Sequence, residues 1–189
     1  MDLMKFFTVS KTLQFKEGEV LIMGENVNIT PTSIFADFQK SLIANIGFEK
    51  AYDSLYETAK KVSIDYNKKF SKKRGFKSKR DLAEWQIKLI TLAGWGTWSF
   101  KSLDIEKQTA TIHIKDSPFS QIYGKCNYPI DIIPLGLAAG GAVTTLGEGV
   151  DAIETKCTSM GESHCEIKIA PKKEIDSLKY LLWKKWKLI

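Results

Sequence analysis

The chain has 189 residues and a mass of 21.3 kDa, with 43% hydrophobic and 26% charged residues. That size suits one domain burying roughly 70% of its unfolded surface, and the composition excludes global disorder. The net charge of +6 hides a split: residues 60–80 hold ten Lys/Arg against Asp65, the tail 171–189 holds six Lys against two acids, and the remainder is acidic.

In chain order, residues 1–29 read as a β segment. Lys5–Ser10 is β-leaning, Leu13-x-Phe15 alternates, and Val20–Met23 and Val27–Ile29 flank a Gly24-Glu25-Asn26 turn. Residues 30–93 read as helical. Thr30-Pro31 forms a cap and first turn, and Ile34, Phe35, Phe38, Leu42 and Ile46 form a helical face that ends at Gly47. A second helix is expected from Phe48 to about Phe70 and a third from Ser78 to Leu92. Two strands follow, Gly96–Glu106 and Thr109–Lys115; in the latter Ala110, Ile112 and Ile114 alternate with Thr111, His113 and Lys115. Ser117-Pro118 opens a short helix. The Gly/Ala-rich stretch from Asp131 to Gly147 suits a helix approached closely by another backbone, and 150–158 and 166–170 pair as strands before a tail helix over 171–189. Helices grouped between strands give an α+β class with an antiparallel sheet.

Other features narrow the partners. The longest weakly polar stretch, residues 132–143, is interrupted by Pro134 and glycines and falls short of the ~18 apolar residues of a membrane span. The N-terminus lacks the basic start of a signal peptide, and three cysteines argue against a secreted disulfide framework, so a cytoplasmic, single-domain protein is expected. The 68–80 basic loop comes without any helix-turn-helix, zinc-finger or RNP pattern, and reads as a solvated face rather than a nucleic-acid footprint. In the tail, Ile175, Leu178, Leu182 and Trp186 form a stripe suited to core or subunit contact. Gly140-Gly141 and Gly147-x-Gly149 match no phosphate-binding loop.

Cys157 and Cys165 bracket the turn TSMGESH, Glu154 precedes Cys157 by three, and Cys126 lies upstream. Zinc takes four tetrahedral ligands, thiolates above all, so this set could bind it; equally, the cysteines could be small buried hydrophobes. On a regular strand Glu154 and Cys157 would point to opposite faces, so shared ligation needs a bulge or strand end between them. His164 competes for a ligand place, and His113 reads as solvent-facing or pocket-lining.

Asp116-Ser117-Pro118, Cys126, the Gly/Ala-rich helix and E-x-x-C-x7-C, here ETKCTSMGESHCEIKI, together resemble the 4-vinyl reductase domain over residues 107–170. That family includes sensor domains of phenol- and xylene-responsive activators, a bacteriochlorophyll-synthesis protein and stand-alone archaeal proteins. The resemblance implies a fold similar to transport-particle (TRAPP) subunits and nitric-oxide-signalling domains, with 94–170 as its core module. It implies a structural zinc held by Cys126, Glu154, Cys157 and Cys165; Lys125 and Lys156, which flank two of these, are the residues expected to offset the site's negative charge. It also implies an apolar pocket between helices and sheet, for which Trp85, Trp95, Trp98, Phe100, Phe119, Tyr123 and Tyr128 are the candidates.

The expectation is a non-enzymatic, zinc-containing sensor for a small hydrophobic or aromatic molecule. It would act as a homodimer with a separate regulatory partner, since no output domain is visible. Reduction of a tetrapyrrole vinyl group is the enzymatic alternative, without a dinucleotide fingerprint to support it. A ligand-free dimeric scaffold is the third.

Overall fold

The computed structural model describes residues 13–22 and 24–188; the β-leaning Lys5–Ser10 lies outside them. A small antiparallel meander comes first, β1 (Leu13–Lys16), β2 (Glu19–Ile22) and β3 (Glu25–Val27). Glu25 and Asn26 belong to β3 rather than to the turn, which is carried by Gly24 at a positive φ of 82°. Three helices follow: α1 (Thr32–Ile46), α2 (Phe48–Arg74) and α3 (Lys79–Leu92). Helix α1 starts one residue later than Thr30-Pro31 suggests, with Pro31 at the cap and no side-chain capping bond. For α3 the cap is Ser78, whose hydroxyl accepts from the Asp81 N–H at 3.1 Å.

Strands β4 (Thr97–Asp104) and β5 (Thr109–Lys115) are joined to α4 (Pro118–Tyr123) and α5 (Ile132–Leu146). Then come β6 (Val150–Lys156), a 3₁₀ turn (Thr158–Met160), β7 (Cys165–Pro171) and α6 (Lys172–Lys185). The four long strands form an antiparallel sheet in the order β4-β5-β7-β6. Its inner face presents Trp98, Ile112, Ile114, Ile167 and Ile169 to a layer built on α5, with α2 stacked behind it. Helix α6 covers the opposite face at the β6 end, through Ile153, Ala170 and Ile175.

The α2–α5 contact explains the small residues of α5. A Cβ at Gly136 would lie 2.6 Å from the Tyr56 carbonyl, and one at Gly140 would lie 2.4 Å from the Lys60 carbonyl. Only hydrogen side chains admit backbones that close. The pair is pinned further by Ser63, which donates to the Leu137 carbonyl at 2.8 Å, and α2 is tied to β6 by Asp151, which takes bonds from Tyr56 and from Lys60 at 2.8 Å.

Two bulges reassign faces. Between β4 and β5 the register passes from Phe100↔Ile112 to Ser102↔Thr111, leaving Lys101 extra. Leu103 therefore joins Trp98 and Phe100 on the inner side, against simple alternation. Between β6 and β7 it passes from Glu154↔Ile167 to Lys156↔Glu166, leaving Thr155 extra.

The apolar stripe of α1 is only partly core: Leu42 packs on the main core, and the Phe35 ring centroid lies 5.8 Å from that of Trp95 in the cavity wall. Ile34, Phe38 and Ile46 are 56, 55 and 43% exposed, while Ala36 and Gln39 are buried. Gln39 donates to the Ile130 carbonyl at 2.8 Å, so a polar residue anchors this helix where the stripe was expected to. The basic stretch is partly structural: Lys69 and Lys73 bind Glu25 of β3 at 3.0 and 3.6 Å, and Arg74 lies over the Trp85 ring.

Candidate metal centre and ligand cavity

Four buried acids meet where α5, β6 and β7 come together. Asp131 stands at the start of α5, Glu154 and Cys157 flank the end of β6, and Cys165 opens β7. One ligand atom of each lies within 4.8 Å of all the others. The bulge at Thr155 is the local cause, for it supplies the break that lets Glu154 and Cys157 converge. No glycine marks it in the sequence.

The donor geometry fits a divalent cation. The two sulfurs are 3.9 Å apart, close to the ~3.8 Å edge of a tetrahedron whose metal–sulfur arms are about 2.3 Å. Asp131 and Glu154 each spend one oxygen on the scaffold: Ser117 donates to Asp131 Oδ1 at 2.8 Å, and the Asp131 N–H donates to Glu154 Oε2 at 3.1 Å. Their other oxygens, Asp131 Oδ2 and Glu154 Oε1, are buried without a partner among the described residues. Two sulfurs and two bare carboxylate oxygens make a complete set of four.

Around the sulfurs sit donors that favour thiolates. Ser120 Oγ lies 3.4 and 3.5 Å from Cys157 and Cys165, Ser159 Oγ lies 2.9 Å from Cys157, and the Thr158 N–H donates to Cys165 at 3.4 Å. Hydrogen bonding from Cys165, then from Ser120 and Ser159, draws the Cys157 thiol down to about 5. Cys165 is pushed up, first because it is the partner that keeps the proton and then by burial. Burial raises Asp131 to about 7 and Glu154 well above the carboxylate range, each reinforced by the neighbouring negative groups. Without a cation the cluster holds protons; a cation would displace them.

The structure brings together Glu154, Cys157 and Cys165 as expected from the sequence, and adds Asp131. Cys126 stands apart from this group. Its loop is tied to the site by its N–H donating to the Ser159 carbonyl at 2.9 Å, while its thiol lies beside Tyr123 and Tyr128. In the sequence Asp131 only marks the start of the Gly/Ala-rich stretch; in the fold it precedes α5 and its carboxylate makes no capping bond. Lys156 does not offset the cluster, because it pairs with Glu166 at 3.6 Å.

A cavity of about 680 Å³ opens between the sheet, α2, α3 and α5. Trp95, Trp98 and Phe100 line it, as expected. Trp85, Phe119, Tyr123 and Tyr128 do not. Trp85 packs behind Phe70 in a satellite core, and Phe119 stacks at 5.5 Å on the far side of Trp95. Tyr128 meets Phe48, and Tyr123 lies under Lys40. The aromatic bias of that expectation missed the aliphatic and small residues of the walls, such as Ile112, Ala138 and Ala142. It also missed the polar wall of Ser63, Asn67, Gln86 and Thr145. No charged side chain and no cysteine line the cavity among the described residues.

No protein-family model matches the chain, and no curated protein matches it significantly. Solved structures do. The phenol-responsive sensory domain of the transcription activator PoxR, with phenol, superposes with a TM-score of 0.78 at 19% identity, over 90% of this chain and 91% of that one. A trafficking protein particle complex subunit 3 from Naegleria fowleri, covalently bound to palmitic acid, gives 0.56 at 18% identity over 75% and 95%. A vinyl-4-reductase family protein from Methanocaldococcus jannaschii gives 0.51 at 19% identity over 77% and 83%. The chain thus has the α+β, 4-vinyl-reductase-like fold that these sensor and transport-particle domains share. Among the described residues no helix is long and apolar enough to cross a membrane.

Proposed function

We propose that the chain is a binding module that senses a small, neutral, hydrophobic molecule, held in the cavity on the inner face of the sheet. The cavity carries this reading. At about 680 Å³ it falls in the range of drug-sized ligand sites, roughly 300–1,000 Å³. Its walls are mostly apolar, with a few uncharged polar groups, the amides of Asn26, Asn28, Asn67 and Gln86 and the hydroxyls of Ser63 and Thr145, set among them. That arrangement suits a largely apolar molecule with one uncharged polar end. The likeness to a phenol-binding sensory domain supports the same class, and the volume leaves room for ligands well beyond phenol. Since no cysteine lines the cavity, the ligand is held without a thioester. A ligand-free scaffold would have no use for such a space.

In this reading zinc is structural, bound by Glu154, Cys157 and Cys165, with Asp131 in the place that the resemblance implied for Cys126. It fastens the start of α5 to the last hairpin. The module acts as a homodimer, for which the exposed Ile34, Phe38 and Ile46 stripe of α1 is the contact face, and it signals to a separate partner.

The test is titration of the full chain with 1-naphthol followed by tryptophan fluorescence, with native mass spectrometry for co-purified small molecules. Ala138→Leu with Ala142→Phe should fill the cavity and lower affinity at least tenfold while the circular dichroism is kept. Unchanged binding in that variant, or none in the parent to any neutral hydrophobic molecule, would refute the proposal.

A further inference from the structure

A second cluster lies on the opposite face of the sheet. His113 of β5 stands directly across from Glu166 of β7, with Nε2 3.0 Å from Oε2. His164, from the turn before β7, brings its ring centroid to 4.2 Å from that of His113. The chain's only two histidines thus converge on one carboxylate. One ligand atom from each of the three lies within 4.8 Å of the others.

The orientation of these groups is held from outside. Thr155, the extra residue of the β6 bulge, donates to Glu166 Oε1 at 2.9 Å and leaves Oε2 to face His113. Ser163 Oγ lies 2.9 Å from His164 Nδ1. The other ring nitrogen, His164 Nε2, is buried and has no hydrogen-bond partner among the described residues. An imidazole engaged at one nitrogen and bare at the other is how ligating histidines are set, with an outer partner fixing the ring.

The geometry points to a second divalent-metal site, formed by His113, His164 and Glu166, that takes zinc and leaves a coordination position open. Two imidazoles and a carboxylate suit zinc among the available metals, and three protein ligands leave the fourth place to water or to a donor from another molecule. This site is independent of the buried cluster, since Cys165 points inward while its neighbours His164 and Glu166 serve the outer face. Lys101 and Lys156, 3.8 and 3.6 Å from Glu166 Oε2, compete for that carboxylate. Their side chains are 59 and 39% exposed, so they can turn into solvent at little cost. Their charge makes the site weaker than the buried one. It therefore fills and empties with zinc concentration, whereas the inner ion stays. A plain surface ion-pair network would account for Glu166 and the lysines but would leave His164 Nε2 bare.

Tag-free full chain titrated with Co²⁺, and separately with Zn²⁺ by calorimetry, tests the assignment. Two equivalents per chain are expected. The first should bring sulfur-to-cobalt charge-transfer absorption, and the second only ligand-field bands. His164→Ala should abolish the second and keep the first, Glu166→Gln should weaken it about 10- to 100-fold, and Lys156→Met should strengthen it. A parent chain without the nitrogen- and oxygen-ligated equivalent overturns the proposal. So does that equivalent persisting in the double variant His113→Ala/His164→Ala.

Discussion

Zinc capture by the buried cluster should expel protons, and the surroundings of the four donors set how many. In the metal-free chain burial pushes Glu154 well above the carboxylate range and places Asp131 at about 7. Cys165, the donor to Cys157, is pushed above an ordinary thiol, while Cys157 is lowered to about 5. At pH 7 the proton of Cys165 and about half of one on Asp131 must therefore leave when a dication binds, at least ~1.5 protons per zinc, and the upward shift of Glu154 adds to that number. The bound state carries fewer protons, so affinity rises with pH, by at least roughly 30-fold in association constant per pH unit near 7. Calorimetry in buffers of different ionisation enthalpy counts the protons directly, and Asp131→Asn should lower the count by about half a proton at pH 7. A release near zero would refute the reasoning, because it would mean that burial fails to hold these acids neutral.

Adjacent glycines of α5 should respond oppositely to alanine. At Gly140 the new Cβ meets the Lys60 carbonyl at 2.4 Å and the Ser63 Cβ at 2.5 Å, whereas at Gly141 it meets only the Gln86 side chain, at 3.1 Å. Overpacking should cost Gly140→Ala about 1–3 kcal/mol net, and Gly141→Ala should stay neutral or gain up to ~1 kcal/mol from helix propensity, read by urea unfolding. Equal stabilities would contradict the backbone contact. Lys60→Met leaves Asp151 without its cation; the pair is 15 and 11% exposed, so the loss should be about 2–3 kcal/mol, below the cost at a fully dry site. Tyr56→Phe, which removes one bond to the same carboxylate, should cost about 1–2 kcal/mol in the same assay. Chelation of zinc should weaken 1-naphthol binding about fivefold or more, through the contact of Trp95 with Phe119; identical affinities with and without metal would show the two sites to be uncoupled.

Much of this architecture is legible in the residues. Period and punctuation mark α2, α3, β5 and α6, and the Gly/Ala content of α5 announces the close helix contact that Gly136 and Gly140 make. The converging hairpin thiols can be read from spacing, because a turn brings its ends together whatever the rest of the chain does. What escapes are features decided across the fold. The bulges at Lys101 and Thr155 carry no glycine, so alternation misplaces Leu103 and leaves Glu154 and Cys157 on opposite faces. Asp131 is hidden because an acid before a helix is ordinarily a cap, and only burial beside two thiols gives it another use. The α1 stripe has helical period yet Ile34, Phe38 and Ile46 of it face outward, since periodicity tells that one face is apolar but not what covers it. Convergence of His113 and His164 requires strand register, which no local pattern encodes.

The cluster's cost argues for a cation as strongly as its geometry does. Two carboxylates and two thiols in a dry interior each pay for desolvation, and an apolar set of the same volume would serve stability as well or better. Such a grouping is coherent when an ion converts the four penalties into one strong interaction. Its placement then has a mechanical consequence. Ser120, touching both sulfurs, follows Phe119, which stacks on Trp95, and Trp95 lines the cavity. A ligand displacing Trp95 would press on the helix α4 that supports the sulfurs, while a bound ion would keep that helix, the start of α5 and the last hairpin in one arrangement. The cavity wall would then rest on a fixed point at one end. At its other end Gln86 lies on α3, which neither such an ion nor a backbone contact like that of α2 with α5 fastens. Movement on ligand entry should be taken up there, so the α3 side, rather than the hairpin, is the side from which a signal would leave.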